Sequence, residues 1–393
     1  MGDVQLVFGW RTALLGLAAL QILLLAVAVA IEPANRTANR LLAAALVVIA
    51  GLLVPYVIGF AGFYDAFRWL TFAPFALPLA LGPLLFGYAH ALADGHAPRR
   101  MRLHLAAPAL QLAYFSTCFL LPLPLKWDWY GSGHAAVVSP LFDILSLVSL
   151  AAYAWAIRGV LARLRSRLAD QRSDDDRFSA RWLGRVQMAI LIGLTVQIGF
   201  WLWAALTGGI DYFQETGLYL AMGSLGLYLG VAGWRQAALP APLGETAPEP
   251  EPDAPRIAPD WPAIAADMEQ RTREAGWWRE PDLNLPRLAR LLGTNTGRLS
   301  RAINLGLDMN FSAFVNGLRA EGVAEALRDR PDTDLLDLAF DMGFASKASF
   351  NRAFRARFGM APSQYRRTIT DGSDHDSLSV DAKLRRAADW TGT

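Results

Sequence analysis

Residues 345–358, ASKASFNRAFRARF, carry Lys347, Arg352, Arg355 and Arg357 and no acidic side chain. Cationic groups without local countercharge suit a polyanion. Each can neutralise a phosphate, and an arginine in mid-helix can reach O6 and N7 of a guanine together. On a wheel of ~100° per residue, Phe350, Ala353, Phe354 and Arg357 share one face, with Phe358 at its edge. Ala348, Arg352 and Arg355 lie opposite, flanked by Ser349 and Asn351. A second run, 296–306, TGRLSRAINLG, has the same logic. Leu299, Ala302 and Ile303 face inward, Gly297, Arg301 and Asn304 face outward, and Arg298 and Ser300 flank them. Small residues near each helix start permit close approach to base edges.

Other chemistry is thinly represented. The single cysteine, Cys118, allows no intrachain disulfide, and His90, His96, His104, His134 and His375 show no metal-ligand spacing. Paired carboxylates, a nucleophile arrangement and a phosphate-binding glycine loop are all missing from the pattern, so neither an enzyme nor a cofactor or metal site is expected.

The two arginine-bearing runs belong to a duplication. Leu288-Ala289 and Gly293 recur fifty residues later as Leu338-Ala339 and Gly343. After one extra turn residue, Leu299, Arg301, Ala302 and Ile303 match Phe350, Arg352, Ala353 and Phe354, and Met309, Ser312 and Phe314 match Met360, Ser363 and Tyr365. Two copies of one supersecondary unit account for this. In each, a first helix (285–292 and 333–342) ends at a glycine able to take the turn conformation, and a second helix (296–306 and 347–358) follows, as in a helix-turn-helix. Between them, Phe311, Phe314, Val315, Leu318 and Leu327 predict one helix over 311–329. At ~1.5 Å per residue it is roughly 28 Å long, suited to holding two recognition helices about one DNA turn, ~34 Å, apart. Gly322 within it costs ~1 kcal/mol relative to alanine. Residues 277–367 hold fourteen basic and ten acidic side chains.

The stretches LNLPRLARLLGTNTGRLSRAIN, NFSAFVNGLRAEGVAEAL and LLDLAFDMGFASKASFNRAFRARFGMAPSQYRR resemble the AraC/XylS-type DNA-binding domain. The most specific hallmarks stand at Ala339, Gly343-Phe344, Ser346, Phe350, Arg352, Phe354, Gly359, Pro362 and Tyr365-Arg366. The resemblance implies double-stranded DNA as partner, RNA polymerase as a further one, and a homodimer. It implies base contacts from Gly297, Arg298, Ser300 and Arg301, then Lys347, Ala348, Asn351 and Arg352; the wheel adds Arg355. Gly297 and Ala348 carry little side chain with which to read a base, and Gly322 departs from the family's glutamate-like residue.

The other half of the chain is of a different character. Mean hydropathy is +0.25, and the apolar residues concentrate in 1–235. A bilayer core of ~30 Å needs roughly 20 apolar residues in a helix. Seven runs qualify: 10–31, 41–63, 70–92, 104–124, 137–158, 184–206 and 215–235, with Pro74, Pro78 and Pro83 interrupting the third and Pro108, Pro122 and Pro124 flanking the fourth. The first, third and fifth connections carry thirteen arginines, eight of them between Arg158 and Arg185. The opposite side has only Arg11, Arg68 and Lys126. The positive-inside rule then puts the amino terminus outside and everything after Arg235 in the cytoplasm of a bacterial cell, the chain crossing the inner membrane several times. The first run is too long, and lacks a basic start before Arg11, for a cleaved signal peptide. LGPLLFGYAHAL (81–92) and RFSARWLGRV (177–186) resemble the multi-span half found in a membrane-bound branch of the same family.

The expected architecture is therefore all-α: a seven-helix transmembrane domain (1–235), a Pro-rich linker (236–260), a double helix-turn-helix domain (261–367) beginning with a helix capped by Asp260, and a polar tail (368–393). Within the spans, Asp143 is the candidate for sensing an envelope or lipid-phase signal, since an intramembrane carboxylate is functional by default. Gln111, Gln187 and Gln197 either line a polar pocket or join helices. A retinal receptor is excluded, because Lys126, Lys347 and Lys383 all lie outside the spans. Two alternatives stand beside a one-component sensor: a transcription factor tethered by, or released from, an inert anchor, and a membrane enzyme with an accessory DNA-binding tail.

Overall fold

The computed structural model describes residues 6–171, 173, 180–238 and 259–372. Every regular element among the described residues is helical. The chain divides into two compact units: Met1–Arg163 with Arg181–Gly244, and Leu164–Ala180 with Glu245–Thr393. Residues 239–258 of the expected linker and 373–393 of the expected tail lie outside the described residues.

The first unit is built from helices α1 (Trp10–Ile31), α2 (Arg36–Phe60), α3 (Leu81–Asp94), α4 (Ala106–Phe119), α5 (Ser139–Gln171) as far as Arg163, α6 (Ala180–Thr207) from Arg181 and α7 (Thr216–Ala237). Among the described residues, five helical stretches are long and apolar enough to cross a membrane: Trp10–Ile31, Arg36–Phe60, Leu123–Gln171, Arg181–Thr207 and Thr216–Ala237. The expected count of seven is not reached. The run 70–92 breaks into short turns at Arg68–Leu70 and Pro78–Ala80 before α3 begins, as prolines that cannot donate to the preceding turn require. The run 104–124 yields only α4, stopped where Pro122 turns extended. At 14 residues each, α3 and α4 reach roughly 21 Å, short of a ~30 Å core. The fifth run is longer than expected. It starts at Leu123, with Pro124 in the first turn, and passes through a wide turn at Tyr130–Val138 into α5, so that Lys126, expected outside the spans, falls within this helical stretch.

Glycines set the packing of α7. A methyl group added at Gly226 would lie 2.7 Å from Ile49 and 2.8 Å from Ile22. At Gly230 it would meet Leu25 at 2.8 Å, and at Gly233 Leu42 at 2.5 Å. Spaced by four and three residues, they form one stripe through which α1 and α2 approach the α7 backbone.

The second unit runs α8 (Trp261–Glu274), α9 (Leu285–Leu291), α10 (Thr296–Arg301), α11 (Phe311–Asp329), α12 (Leu335–Asp341), α13 (Lys347–Phe358) and α14 (Pro362–Gly372). Each helix from α8 to α13 starts where a polar side chain accepts from its own first turn: Asp260, Asn284, Asn295, Asn310, Asp334 and Ser346. Such caps contribute about 1 kcal/mol each. The duplication appears as two cores. One holds Leu288, Leu299 and Ile303 with Phe311, Phe314, Val315 and Leu318; the other holds Leu338, Phe350 and Phe354 with Val323, Ala324 and Leu327. Helix α11 thus lends its first half to one copy and its second half to the other.

Candidate nucleic-acid interface

In each copy the chain leaves the first helix through a left-handed glycine, Gly293 with φ 68° and Gly343 with φ 87°. Only glycine takes this conformation without strain. At Gly343 the carbonyl of Arg279 also stands where a side chain would go. These turns present α10 and α13 with one face buried. Leu299 and Ala302 are 0% exposed, Ile303 2%, Phe350 2% and Phe354 0%.

The opposite faces carry the expected residues. Gly297, Arg298 and Arg301 of α10 are exposed, and Ser300 is half-buried within reach of Asn304, whose amide donates to its hydroxyl at 3.4 Å. Lys347, Ala348, Arg352 and Arg355 of α13 are exposed, and Asn351 is half-buried. Arg352 also edges a cleft of about 550 Å³ beside α11, with Ser349, Ala353, Asn316 and Glu321.

Two expectations are corrected in detail. The first recognition helix does not run regularly from 296 to 306: it widens into a π turn over Ala302–Gly306. There the Gly306 backbone lies against the Trp261 carbonyl and the Ala265 methyl, closer than any side chain would permit. Arg357 does not join the buried face. Its guanidinium reaches out from the edge of α13 to Glu321 of α11, Nε to Oε1 at 2.6 Å, because a long stem can lie along apolar surface while its charge stays in polar surroundings. Glu321 also accepts from Arg273 of α8 at 2.6 Å, and Arg273 donates as well to its own-helix neighbour Glu269 at 3.0 Å. Partial burial disfavours the Arg273 charge, but bonding and attraction from Glu321, then Glu269, prevail and hold its pKa above the ordinary value.

Sequence reading missed the residues that fix the frame. Arg319 is completely buried in α11. It donates through Nε to the Trp278 carbonyl at 2.8 Å, through one terminal nitrogen to the Glu280 carbonyl at 2.6 Å, and through the other to Asn316 Oδ1 at 3.1 Å. The turn at Trp277–Arg279 is thereby pinned to α11, and the Trp278 ring fills the space over Gly322. That contact explains the glycine: any side chain at 322 would strike the indole. Ser173, in the arginine-rich connection, is a further missed member of this unit. Its hydroxyl donates to the Leu283 carbonyl at 2.8 Å and its carbonyl accepts from Asn316 at 2.9 Å. The helical periodicity of 311–329 gave no signal for Arg319, and no pattern singled out Ser173.

Asp143 of α5 lines a cavity of about 450 Å³ in the first unit, together with Gln111 and Gln197; Gln187 is not among the lining residues. Among the described residues, no group of three or more His, Cys, Asp or Glu could hold a metal ion.

A helix-turn-helix domain profile matches residues 288–368, the stretch from α9 to α14. These residues form an AraC/XylS-type helix-turn-helix domain at the carboxy-terminal end of the chain. Over 106 residues the chain is 32% identical to the HTH-type transcriptional regulator CdhR of Pseudomonas aeruginosa, covering 27% of this chain and 29% of the relative. Over 88 residues it is 28% identical to the HTH-type transcriptional regulator MtrA of Neisseria gonorrhoeae, covering 22% and 29%. The chain thus spans under a third of the length of the curated relatives it matches. No solved structure matches it.

Proposed function

We propose that the chain is a membrane-embedded transcription regulator that binds specific duplex DNA through α10 and α13. One observation carries this reading: in both copies the arginine-bearing face of the second helix is exposed, while its apolar face is locked into its own core. Arg298 and Arg301, then Lys347, Arg352 and Arg355, supply phosphate and base-edge contacts. Ser300 and Asn351 add polar contacts to base edges, and Gly297 and Ala348 let the backbone come close. The five long apolar helices and the arginine bias of the odd connections support an inner-membrane location with the second unit in the cytoplasm.

The first unit acts as sensor in this reading. Support comes from the cavity at Asp143. Mapping the genomic sites occupied by the full chain, with and without residues 1–235, tests the proposal. Discrete sites that disappear on Arg352→Ala are expected; occupancy that is uniform along the chromosome, or unchanged by that substitution, defeats it.

A further inference from the structure

The polar groups around the first unit's cavity are unequally provided for. His134 Nδ1 shares a hydrogen bond of 2.9 Å with the Tyr114 hydroxyl, which accepts from the Trp129 indole at 2.9 Å. Gln111 accepts from the Leu79 backbone at 3.3 Å. Tyr219 donates to the Tyr56 hydroxyl, and Tyr56 donates to Glu215 at 3.1 Å. The Asp143 carboxylate stands apart. It makes no hydrogen bond or ion pair among the described residues, and neither lysine nor arginine lines the cavity. A second acid, Glu215, lies within range of its charge.

Apart from its serine, glutamine and histidine side chains, the cavity wall is apolar and aromatic: Phe115, Phe142, Tyr56 and Tyr219, with Leu85 and Leu225. The volume, about 450 Å³, falls in the range of small-molecule sites. A carboxylate kept at membrane depth is costly unless a cation offsets it, and aromatic faces attract a cation in the same place. An anion meets no lysine or arginine here.

We propose that this cavity binds a lipid-soluble organic cation, an amine or quaternary ammonium with an apolar body, its charge against Asp143 and its body among the aromatic side chains. The proposal rests on the reading of the first unit as a membrane-embedded sensor and names the chemistry of its signal.

The test uses the full chain in phosphatidylcholine nanodiscs, with empty nanodiscs as blank. Octyltrimethylammonium is compared with 2,2-dimethyldecane, its neutral carbon isostere, by equilibrium dialysis. The expected result is saturable binding of the cation, about one per chain, and none of the isostere. Asp143→Asn weakens the cation tenfold or more while Asp143→Glu retains it. Gly193→Leu, beside Leu225 on the cavity wall, blocks binding without changing charge. Equal saturable binding of the isostere, cation binding no better than the blank, or an Asp143→Asn variant within twofold of the parent overturns the proposal. DNA binding by the same nanodiscs is measured in parallel. If it persists while the cation fails to bind, the ligand chemistry alone is wrong; if the chain binds no specific DNA, the regulator reading falls whatever the cavity does.

Discussion

Arg357 Nε lies 2.6 Å from Glu321 Oε1, and the other oxygen of Glu321 lies 2.6 Å from Arg273 Nη1. One carboxylate on α11 therefore ties together the second recognition helix and α8, the first helix of the unit. The arginines are 47% and 43% exposed, so water screens much of the attraction. Replacing Glu321 by alanine is expected to cost about 0.5–1 kcal/mol in urea unfolding of the second unit, and less at high salt. A loss above 3 kcal/mol, insensitive to salt, would mean that the carboxylate does something other than bridge these arginines.

Arg352 and Lys347 should separate by the kind of contact they make. Arg352→Ala is expected to weaken the specific site by about 1–3 kcal/mol and to relax preference at one base position. Lys347→Ala is expected to weaken all sequences alike and to lower the slope of log affinity against log salt by about 1. Titrations of the full chain on specific and scrambled duplexes at several salt concentrations distinguish the two. Identical profiles for the two variants contradict the assignment.

Gly343 and Gly297 should respond differently to the same substitution. Gly343 combines a φ of 87° with the Arg279 carbonyl where a methyl would sit. Gly343→Ala is therefore expected to destabilise the second unit by more than about 1 kcal/mol. At Gly297 the nearest atom to an added methyl is Asn295 Oδ1 at 3.6 Å, so alanine is accommodated, and a helical position even favours it. Any loss seen with Gly297→Ala should appear in DNA affinity rather than in the thermal melt.

Arg319 is the buried charge whose removal should hurt most. Arg319→Met strips donors from the Trp278 and Glu280 carbonyls and from Asn316. The expected cost is roughly 2–4 kcal/mol, read as a lower melting temperature and faster amide exchange around 277–283. An unchanged melt would show that these bonds only replace equivalent ones to water.

The glycine stripe of α7 gives a prediction for the first unit. Gly230→Leu collides with Leu25 of α1, whereas Gly199 of α6 has nothing within 4 Å. In nanodiscs, Gly230→Leu should lower the detergent or thermal resistance of the first unit, and Gly199→Leu should leave it intact. Equal behaviour would exclude close packing of α7 on α1.

Much of the second unit was legible in the chain itself. Its first helix start was marked by the cap at Asp260, its turns by Gly293 and Gly343, and its exposed faces by a periodicity that needs no distant partner. The long apolar helices were legible too, since length and hydropathy are local quantities. The breaks were less so. Prolines near 70–92 and 104–124 marked weak points, but whether a proline kinks a spanning helix or ends it depends on which neighbours satisfy the freed carbonyls.

Three features were decided only by tertiary structure. Gly322 reads as a helix defect until the Trp278 ring is seen to occupy its missing side chain. Arg319 reads as one more surface cation until its carbonyl partners, about forty residues upstream, are brought around it. Asp143 reads as a lone acid in an apolar run until five other stretches of chain enclose it in a cavity. Composition and spacing along the chain determined that two arginine-bearing helices would face outward and that several segments would suit a bilayer. What each buried polar group touches was settled by folding, because those contacts join residues far apart in sequence and leave no local trace.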